Sequence, residues 1–349
     1  MGSWGCLPGS LGGVGAVLLS TDPAYFGHLT GPHHPECPQR LRAVLDGIRD
    51  SGAAEAVIEV QPRPATVEEL ERVHAPRYLE AVEQFCLAGG GALDPDTRAS
   101  SGSWLAALLA AGSGPDAIER LDRGEADAAF LAVRPPGHHA TPKRAMGFCL
   151  INNVAVCAAA LADRGERVLI VDWDAHHGNG TQDAFYGDPR VVYVSMHEYP
   201  QYPGTGSLRE TGEGAGEGAT INIPFPSGTS GDSYRAAVEE VIVPIADRFD
   251  PTWVIASAGF DAHRADPITD LGLSAGDYTD LTARVLALVP AGRRLVFLEG
   301  GYDLEALAAS AGACVATMAG LPQYPEKVSG GEDGGRAVVD AVRKLHLPS

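Results

Sequence analysis

The chain has 349 residues, of which 45% are hydrophobic, so it is long enough for one large domain and too apolar for wholesale disorder. Its formal net charge of −19 argues against generic binding to nucleic acids or anionic membranes, because both need basic surfaces. No apolar run reaches the roughly 20 residues of a membrane span. The six cysteines form no CxxC pair, which favours reduced thiols and a cytoplasmic location.

The first part of the chain mixes strand and helix patterns. Residues 1–12 lack the basic and apolar regions of a signal peptide and are interpreted as a loose leader, which leaves 13–349 as the folded domain. The patterns that follow predict a strand at 14–20, a helix at 38–52 closed by Gly52, a strand at 57–60, a helix opened by the Thr66–Glu69 capping box, and a long helix over 102–121.

From residue 128 onward, strands and helices alternate regularly. Continuous apolar, β-branched runs predict strands at 128–133, 167–173, 191–196, 252–258 and 294–299, with helices near 152–163, 231–248, 274–289 and 303–319. Strands of this type are usually buried on both faces, so the alternation predicts a single α/β domain with a mainly parallel sheet flanked by helices. Two Gly/Pro-rich segments, 198–218 and 224–231, are interpreted as loops.

Histidines and aspartates follow these predicted strands directly. In open parallel sheets, ligands bind beyond the carboxyl ends of the strands, so side chains at those ends should converge on one edge. The segments concerned are RPPGHHA (134–140), DAHHGNG (174–180), His197, GFDAHRADP (259–267) and GGYDL (300–304).

Three of these residues have the character of metal ligands. Asp174 and His176 are spaced by two, as an extended chain would place them on one side, and Asp261 comes from another strand end. Two carboxylates and one imidazole suit a catalytic Zn²⁺ with an open position. Binuclear manganese ureohydrolases carry two further acids in such segments, but Gly178 and Gly259 stand there, which predicts one metal.

The other polar residues suggest acid–base chemistry. His138 and His139 follow a rigid Pro-Pro-Gly turn and are natural general acid/base groups, because the pKa of histidine lies near neutral pH. Asp172 is placed to orient one of them and Asn179 the other. Tyr302 follows two glycines, which leave its hydroxyl free to donate to a developing oxyanion.

These residues resemble the zinc-dependent histone deacetylase family, which includes bacterial deacetylase-like and acetylpolyamine amidohydrolases; the class II branch is the most similar. The resemblance implies the arginase/deacetylase fold, with its active site at the carboxyl ends of the strands. The matching segments run in the family's order: HPECPQR (34–40), RPPGHHA (134–140), MGFCLINN (146–153), VDWDAHHGNGTQ (171–182), PGTG (203–206), SAGFDAHRADP (257–267) and EGGYDL (299–304).

The resemblance also assigns roles to individual positions. It implies one Zn²⁺ held by Asp174, His176 and Asp261, with His139 as general base beside His138 and Tyr302 stabilising the transition state. The implied substrate contacts are Gly147, Phe148, Tyr202 (commonly Phe in the family), Asp96 and Ile268, and Arg40 lies near the channel floor. The family's potassium sites match Asp172, Asp174, His176, Ser195 and Met196, and, for a second ion, backbone near Phe185, Asp188 and Val191.

The same comparison bears on substrate and pH. The polyamine-selective branch has Glu where Ile268 stands, so acyl-lysine in proteins or peptides is the favoured substrate. Acetylated polyamines stay an alternative, since bacterial polyamine enzymes can take acidic groups from a homodimer partner, and an acyl-lysine binding module is a third. Asn179 replaces the Asp of class I members, which predicts a neutral His139 near pH 7. His177 receives no role.

Overall fold

The structure is a computed structural model that describes residues 14–347, so the interpreted leader 1–12 lies outside the described residues. Its strands are β1 (Val17–Ser20), β2 (Val57–Val60), β3 (Gly90–Ala92), β4 (Arg98–Ser100), β5 (Ala128–Leu131), β6 (Val168–Asp172), β7 (Val191–Glu198), β8 (Thr220–Phe225), β9 (Trp253–Ala258) and β10 (Arg294–Leu298). The helices are α1 (Pro38–Asp50), α2 (Val67–Glu71), α3 (Pro76–Leu87), α4 (Ser103–Asp122), α5 (Asn153–Asp163), α6 (Asn179–Phe185), α7 (Gly231–Ala237), α8 (Val243–Phe249), α9 (Ala275–Leu286), α10 (Leu304–Met318) and α11 (Gly335–His346).

Eight strands form one sheet in the order β2-β1-β5-β10-β9-β6-β7-β8. Every pairing in this sheet is parallel, and β3 and β4 form a separate antiparallel pair. The strands β5, β10, β9, β6 and β7 are therefore consecutive neighbours, although they are far apart in the chain. The segments that follow them consequently meet at the carboxyl edge of the sheet.

The predicted α/β fold with a parallel sheet is confirmed, and the predicted strands and helices agree with the structure to within a few residues. The capping box of α2 is present, because Thr66 Oγ1 accepts from the Glu69 N–H at 3.2 Å and Glu69 Oε2 accepts from the Thr66 N–H at 2.8 Å. Helix α1 is followed by Gly52 with φ 73°, a left-handed conformation that glycine adopts without strain. Central strands such as β6 are buried at every position, as their composition predicts.

The edge strand β8 is absent from the predicted elements, and the segment 224–231, interpreted as a loop, overlaps its last residues. Pro224 argues against a strand, because proline cannot donate a ladder hydrogen bond. The structure resolves this conflict because β8 lies at the end of the sheet and pairs only with β7. An edge strand tolerates proline at a position where the neighbouring strand needs no N–H donor from it.

The helix predicted over 231–248 is divided into α7 and α8 by a π-helical turn at Val238–Ile242. Pro244, in the first turn of α8, lacks an N–H group and would clash with the carbonyl four residues earlier. A wider turn before the proline removes that clash. No helix among residues 14–347 is long and apolar enough to cross a membrane.

Candidate metal-dependent active site

Asp174, His176 and Asp261 lie together at the carboxyl edge of the sheet and are all buried. Each offers a ligand atom within 4.8 Å of those of the other two, and they form the one such cluster among residues 14–347. His176 Nδ1 lies 3.2 Å from Asp174 Oδ1 and 3.1 Å from Asp261 Oδ2. Asp261 reaches the other two because β9 is the direct neighbour of β6.

The spacing of two suggested that Asp174 and His176 continue an extended strand. The chain instead bends after Asp172 to reach this geometry. Strand β6 ends at Asp172. Asp172 Oδ1 accepts from the Asp174 N–H at 3.1 Å, and Asp174 Oδ1 accepts from the His176 N–H at 2.9 Å. Such bonds to the backbone two residues on are typical of Asx turns, so the aspartates themselves fold the ligand segment.

Backbone groups approach the ligand carboxylates closely. Gly300 N–H donates to Asp174 Oδ2 at 2.8 Å, and Ala175 N–H donates to Asp261 Oδ1 at 2.8 Å. A Cβ atom at Gly259 would lie 2.1 Å from Asp174 Oδ2, and one at Gly300 would lie 2.2 Å from Asp261 Oδ2. No side chain fits at Gly259 without displacing a ligand, so an additional acidic ligand at this position is excluded sterically.

The electrostatics of the cluster call for a cation. Burial raises the pKa of Asp261, and the neighbouring Asp174 raises it further. Burial alone would raise the pKa of Asp174, but His138 and His176 hold it below its usual range. Buried carboxylates at this separation are unfavourable unless a positive charge compensates them. Two carboxylates and an imidazole are a donor set that suits Zn²⁺ and leaves room for water and substrate, so the residues fit the metal.

The tandem histidines lie beside this cluster with different partners. His138 Nδ1 is 3.1 Å from Asp172 Oδ2, and His139 Nδ1 is 2.8 Å from Asn179 Oδ1. Burial lowers the pKa of His138, but Asp174 and Asp172 raise it to about 10. Burial and the positive charge of His138 hold the pKa of His139 well below its usual range. The surroundings of the two imidazoles therefore differ, favouring a proton on His138 and disfavouring one on His139.

Two side chains that support the tandem histidines were not identified from the sequence. Tyr193 of β7 donates to Asp172 Oδ2 at 3.0 Å, and Glu299 Oε2 accepts from the N–H groups of Gly137 at 2.7 Å and His138 at 3.2 Å. Glu299 belongs to EGGYDL, so its motif was visible, but its target depends on the pairing of β10 with β5. Nothing in the sequence around Tyr193 indicates its contact.

Tyr302 follows β10 at the same edge of the sheet, and a hydrogen bond from its backbone fixes its position. Its N–H donates to Asp266 Oδ2 at 2.8 Å, a contact that the sequence did not reveal. The guanidinium of Arg40 lies 4.9 Å from the centroid of the Tyr302 ring. Burial raises the pKa of Tyr302, against the opposing effect of Arg40, so the phenol keeps its proton at neutral pH and remains a hydrogen-bond donor.

A pocket of about 210 Å³ opens onto these groups. The ring of Phe148 lies edge-on to Tyr302 at 5.8 Å, and the ring of Tyr202 lies edge-on to His139 at 5.1 Å. The five predicted substrate contacts all line this pocket: Asp96, Gly147, Phe148, Tyr202 and Ile268. His139, His176 and Tyr302 line it as well, and so does Gln201, which was not predicted from the sequence. The rings of Phe148 and Tyr202 thus wall this pocket, which is called the channel below.

The backbone of the channel wall is unusual at Gly147 and Phe148, which have φ values of 54° and 68°. The Phe148 N–H donates to Thr97 Oγ1 at 3.1 Å, which fixes this conformation. A Cβ atom at Gly147 would lie 2.3 Å from His139 Cδ2, so only glycine lets the chain pass the imidazole here. The wall is therefore built around the position of His139.

The residues matched to potassium sites fall into two groups. Ser195 pairs with Asp172 in the register of β6 and β7, and Met196 follows it, close to the ligand segment. Asp188 lies in the turn after α6, where its N–H donates to Phe185 O at 3.0 Å, and its carbonyl accepts from the N–H of Val191, the first residue of β7, at 3.4 Å. The structure brings each group together in space.

His177, to which the sequence assigned no role, is buried and has a hydrogen-bond partner at each ring nitrogen. Its Nδ1 lies 2.8 Å from Thr205 Oγ1, and its Nε2 lies 3.1 Å from Gln182 Oε1. Burial and the neighbouring His197 hold its pKa well below the usual range. His177 therefore links the ligand segment to the loop that carries Tyr202.

Comparisons with known proteins agree with this geometry. The histone deacetylase domain matches residues 34–318. A "Probable deacetylase" of Archaeoglobus fulgidus is 41% identical over 304 residues, covering 85% of this chain and 84% of that protein. "Histone deacetylase 15" of Arabidopsis thaliana is 41% identical over 82% of this chain and 53% of its own length. The crystal structure of the HDA15 HD domain superimposes with a TM-score of 0.88 at 36% identity, over 95% of this chain and 94% of that one. The chain has the arginase/deacetylase fold and belongs to the histone deacetylase family of hydrolases.

Proposed function

We propose that the protein is a zinc-dependent amidohydrolase that removes acetyl or other acyl groups from the ε-amine of lysine in proteins or peptides. The observation that carries the proposal is the cluster of Asp174, His176 and Asp261 beside a pocket that is lined by His139, His176 and Tyr302. A bound zinc ion supplies Lewis-acid polarisation of the acyl carbonyl and acidifies a water molecule. Acylation converts the ε-ammonium of lysine into a neutral amide, so a channel walled by the rings of Phe148 and Tyr202 suits the acylated side chain.

The side chains of the chain then divide the proton transfers. Neutral His139 takes the proton of the attacking water and later delivers it to the leaving amine. Tyr302 donates its phenol hydrogen to the oxyanion that develops on the carbonyl. Asp172 holds His138 in its charged form, and Asn179 fixes the ring of His139 so that Nε2 faces the channel. We propose in addition that potassium ions bind at the two groups of matched residues and that the protein acts in the cytoplasm.

Acetylated polyamines are the second candidate substrate, because Asp96 lies on the channel wall and offers a carboxylate to a second ammonium group. Ile268, which also lines this pocket and is 36% exposed, offers none. The decisive comparison is the hydrolysis of a fluorogenic acetyl-lysine peptide and of acetylputrescine by the same preparation. We expect faster turnover of the peptide, loss of turnover with a chelator, and recovery with zinc.

The variant Ile268→Glu sharpens this comparison. Its carboxylate should raise kcat/KM for acetylputrescine relative to the peptide by about fivefold, the usual effect of one partly exposed ion pair. Ile268→Gln is the matched control, with similar size and no charge. Faster hydrolysis of acetylputrescine by the unmodified protein would overturn the lysine assignment, and zinc-independent binding without hydrolysis would favour an acyl-lysine binding module.

The partner of His139 sets the acidic limb of the pH profile. In Asn179→Asp a carboxylate would lie where Asn179 Oδ1 now contacts His139 Nδ1 at 2.8 Å, and an adjacent negative charge raises the pKa of an imidazole. Protonated His139 cannot act as a base, so activity should be lost at a higher pH than in the unmodified protein. We expect the acidic limb of kcat/KM to rise by about 1 pH unit or more. An unchanged limb would show that His139 is not the group that titrates there.

A further inference from the structure

Glu36, in the HPECPQR segment, is a buried carboxylate with partners on two separate parts of the active site. Its side chain has 0% exposure, as do those of Arg40 and Arg134. Glu36 Oε1 accepts from Arg134 Nε at 2.5 Å and from Arg40 Nη1 at 3.2 Å, and its Oε2 accepts from Arg134 Nη2 at 2.7 Å. The contact with Arg134 is therefore bidentate, the strongest form of this pair.

Arg134 connects Glu36 to the segment of the tandem histidines. It lies four residues before His138, in the segment that follows β5. Two further donors of this guanidinium bind backbone carbonyls, with Nη1 donating to Tyr25 O at 2.8 Å and Nη2 to His28 O at 3.2 Å. The start of the RPPGHHA segment is thus fixed by a buried guanidinium that makes four hydrogen bonds.

Arg40 connects Glu36 to the loop that carries Tyr302. Arg40 Nε donates to Gly301 O at 2.6 Å, and its Nη2 donates to Glu299 O at 2.6 Å. These carbonyls flank Gly300, whose N–H binds the ligand carboxylate of Asp174. The same guanidinium lies 4.9 Å from the centroid of the Tyr302 ring. The position of Arg40 therefore determines where the Tyr302 loop lies.

The charges in this cluster depend on Glu36. Burial alone would raise the pKa of Glu36, but Arg134 and His28 hold it well below its usual range, so it is ionised. One carboxylate thus neutralises part of the charge of two buried guanidinium groups. A buried charge that loses its partner is strongly unfavourable, and the surrounding segments then shift to relieve it.

We propose that Glu36 is a positioning residue for the hydrolysis: through Arg134 and Arg40 it holds the histidine segment and the Tyr302 loop at a fixed separation across the zinc site. The inference rests on the proposed amidohydrolase function. Glu36 touches neither the substrate channel nor the metal ligands in the contacts above, so its effect should appear in kcat. A displacement of about 1 Å between catalytic groups can reduce the rate by about 100-fold.

A double-variant cycle tests this role. Glu36→Gln leaves both guanidinium groups uncompensated, whereas Arg134→Gln combined with Glu36→Gln restores the original net charge of the cluster. We expect Glu36→Gln to lower kcat for the acetyl-lysine peptide at least about tenfold with KM changed less than about twofold. The double variant should stay as slow as Glu36→Gln, because it restores the net charge but not the tie between Arg134 and Glu36. Zinc content and thermal unfolding are measured for every variant.

Asp277→Asn is the matched control, because Asp277 is also a buried carboxylate bound to an arginine, Arg235, at 2.5 Å. It should lower the unfolding temperature without lowering kcat. A folded Glu36→Gln protein with unchanged kcat would overturn the role of Glu36. A double variant as fast as the unmodified protein would overturn it too, because the net charge of the cluster rather than the tie would then set the rate. If Glu36→Gln does not fold, Glu36→Asp keeps the charge and shortens the reach, and unchanged kcat in that variant would overturn it equally. An inactive unmodified protein would instead refute the proposed function.

Discussion

Replacement of Asp261 by asparagine is expected to reduce hydrolysis of the acetyl-lysine peptide by at least about 1,000-fold. Asp261 is the ligand that comes from β9, and its carboxylate lies 3.1 Å from His176 Nδ1. An amide keeps the shape of the side chain but removes its charge, so a divalent cation is held by one carboxylate instead of two. Metal ions contribute several kcal/mol of transition-state stabilisation, and each 1.4 kcal/mol corresponds to about tenfold in rate.

The measurements that check this are kcat/KM and the zinc content of the purified variant. Asp277→Asn again serves as control, because Asp277 is buried and hydrogen-bonded but lies at the start of α9, where it caps the helix with Ser274. The control should retain one zinc per chain. The metal assignment would be wrong if Asp261→Asn bound zinc stoichiometrically and hydrolysed the peptide at the rate of the unmodified protein.

The fold was predictable to the extent that local patterns determine it. Strands buried on both faces are continuous apolar runs, so β5, β6, β7, β9 and β10 could be located from composition alone. The edge strand β8 could not, because it pairs with a neighbouring strand on one side only and Pro224 contradicts the strand pattern. The π turn before α8 was equally hidden, since helical periodicity is kept on both sides of it.

The site was predictable where one segment holds several groups and unpredictable where contacts depend on sheet order. Asp174 and His176 lie in one motif, and Asp261 stands at an analogous strand end. The contacts of Tyr193 and Glu299 follow from β7 and β10 lying on particular sides of β6 and β5, and the chain order does not specify these neighbours. Glu36 illustrates the same limit, because its arginine partners are 4 and 98 residues away.

Replacement of Tyr302 by phenylalanine is expected to lower kcat for the acetyl-lysine peptide by about 100- to 1,000-fold, the usual cost of removing one oxyanion donor. KM should change little, because a hydroxyl that bonds to the oxyanion acts mainly in the transition state. The phenylalanine ring keeps its packing against Phe148 and its contact with Arg40, so the unfolding temperature should stay the same.

The second channel tyrosine provides the control for this substitution. Tyr202 lines the same pocket and packs edge-on against His139, but its hydroxyl is assigned no part in the chemistry. Tyr202→Phe should therefore change kcat by at most about fivefold, the equivalent of one ordinary hydrogen bond. Equal losses in the two variants would mean that the channel needs a polar wall rather than a specific donor. A large loss at Tyr302 alone, with KM and stability unchanged, requires that its hydroxyl bond to the oxyanion.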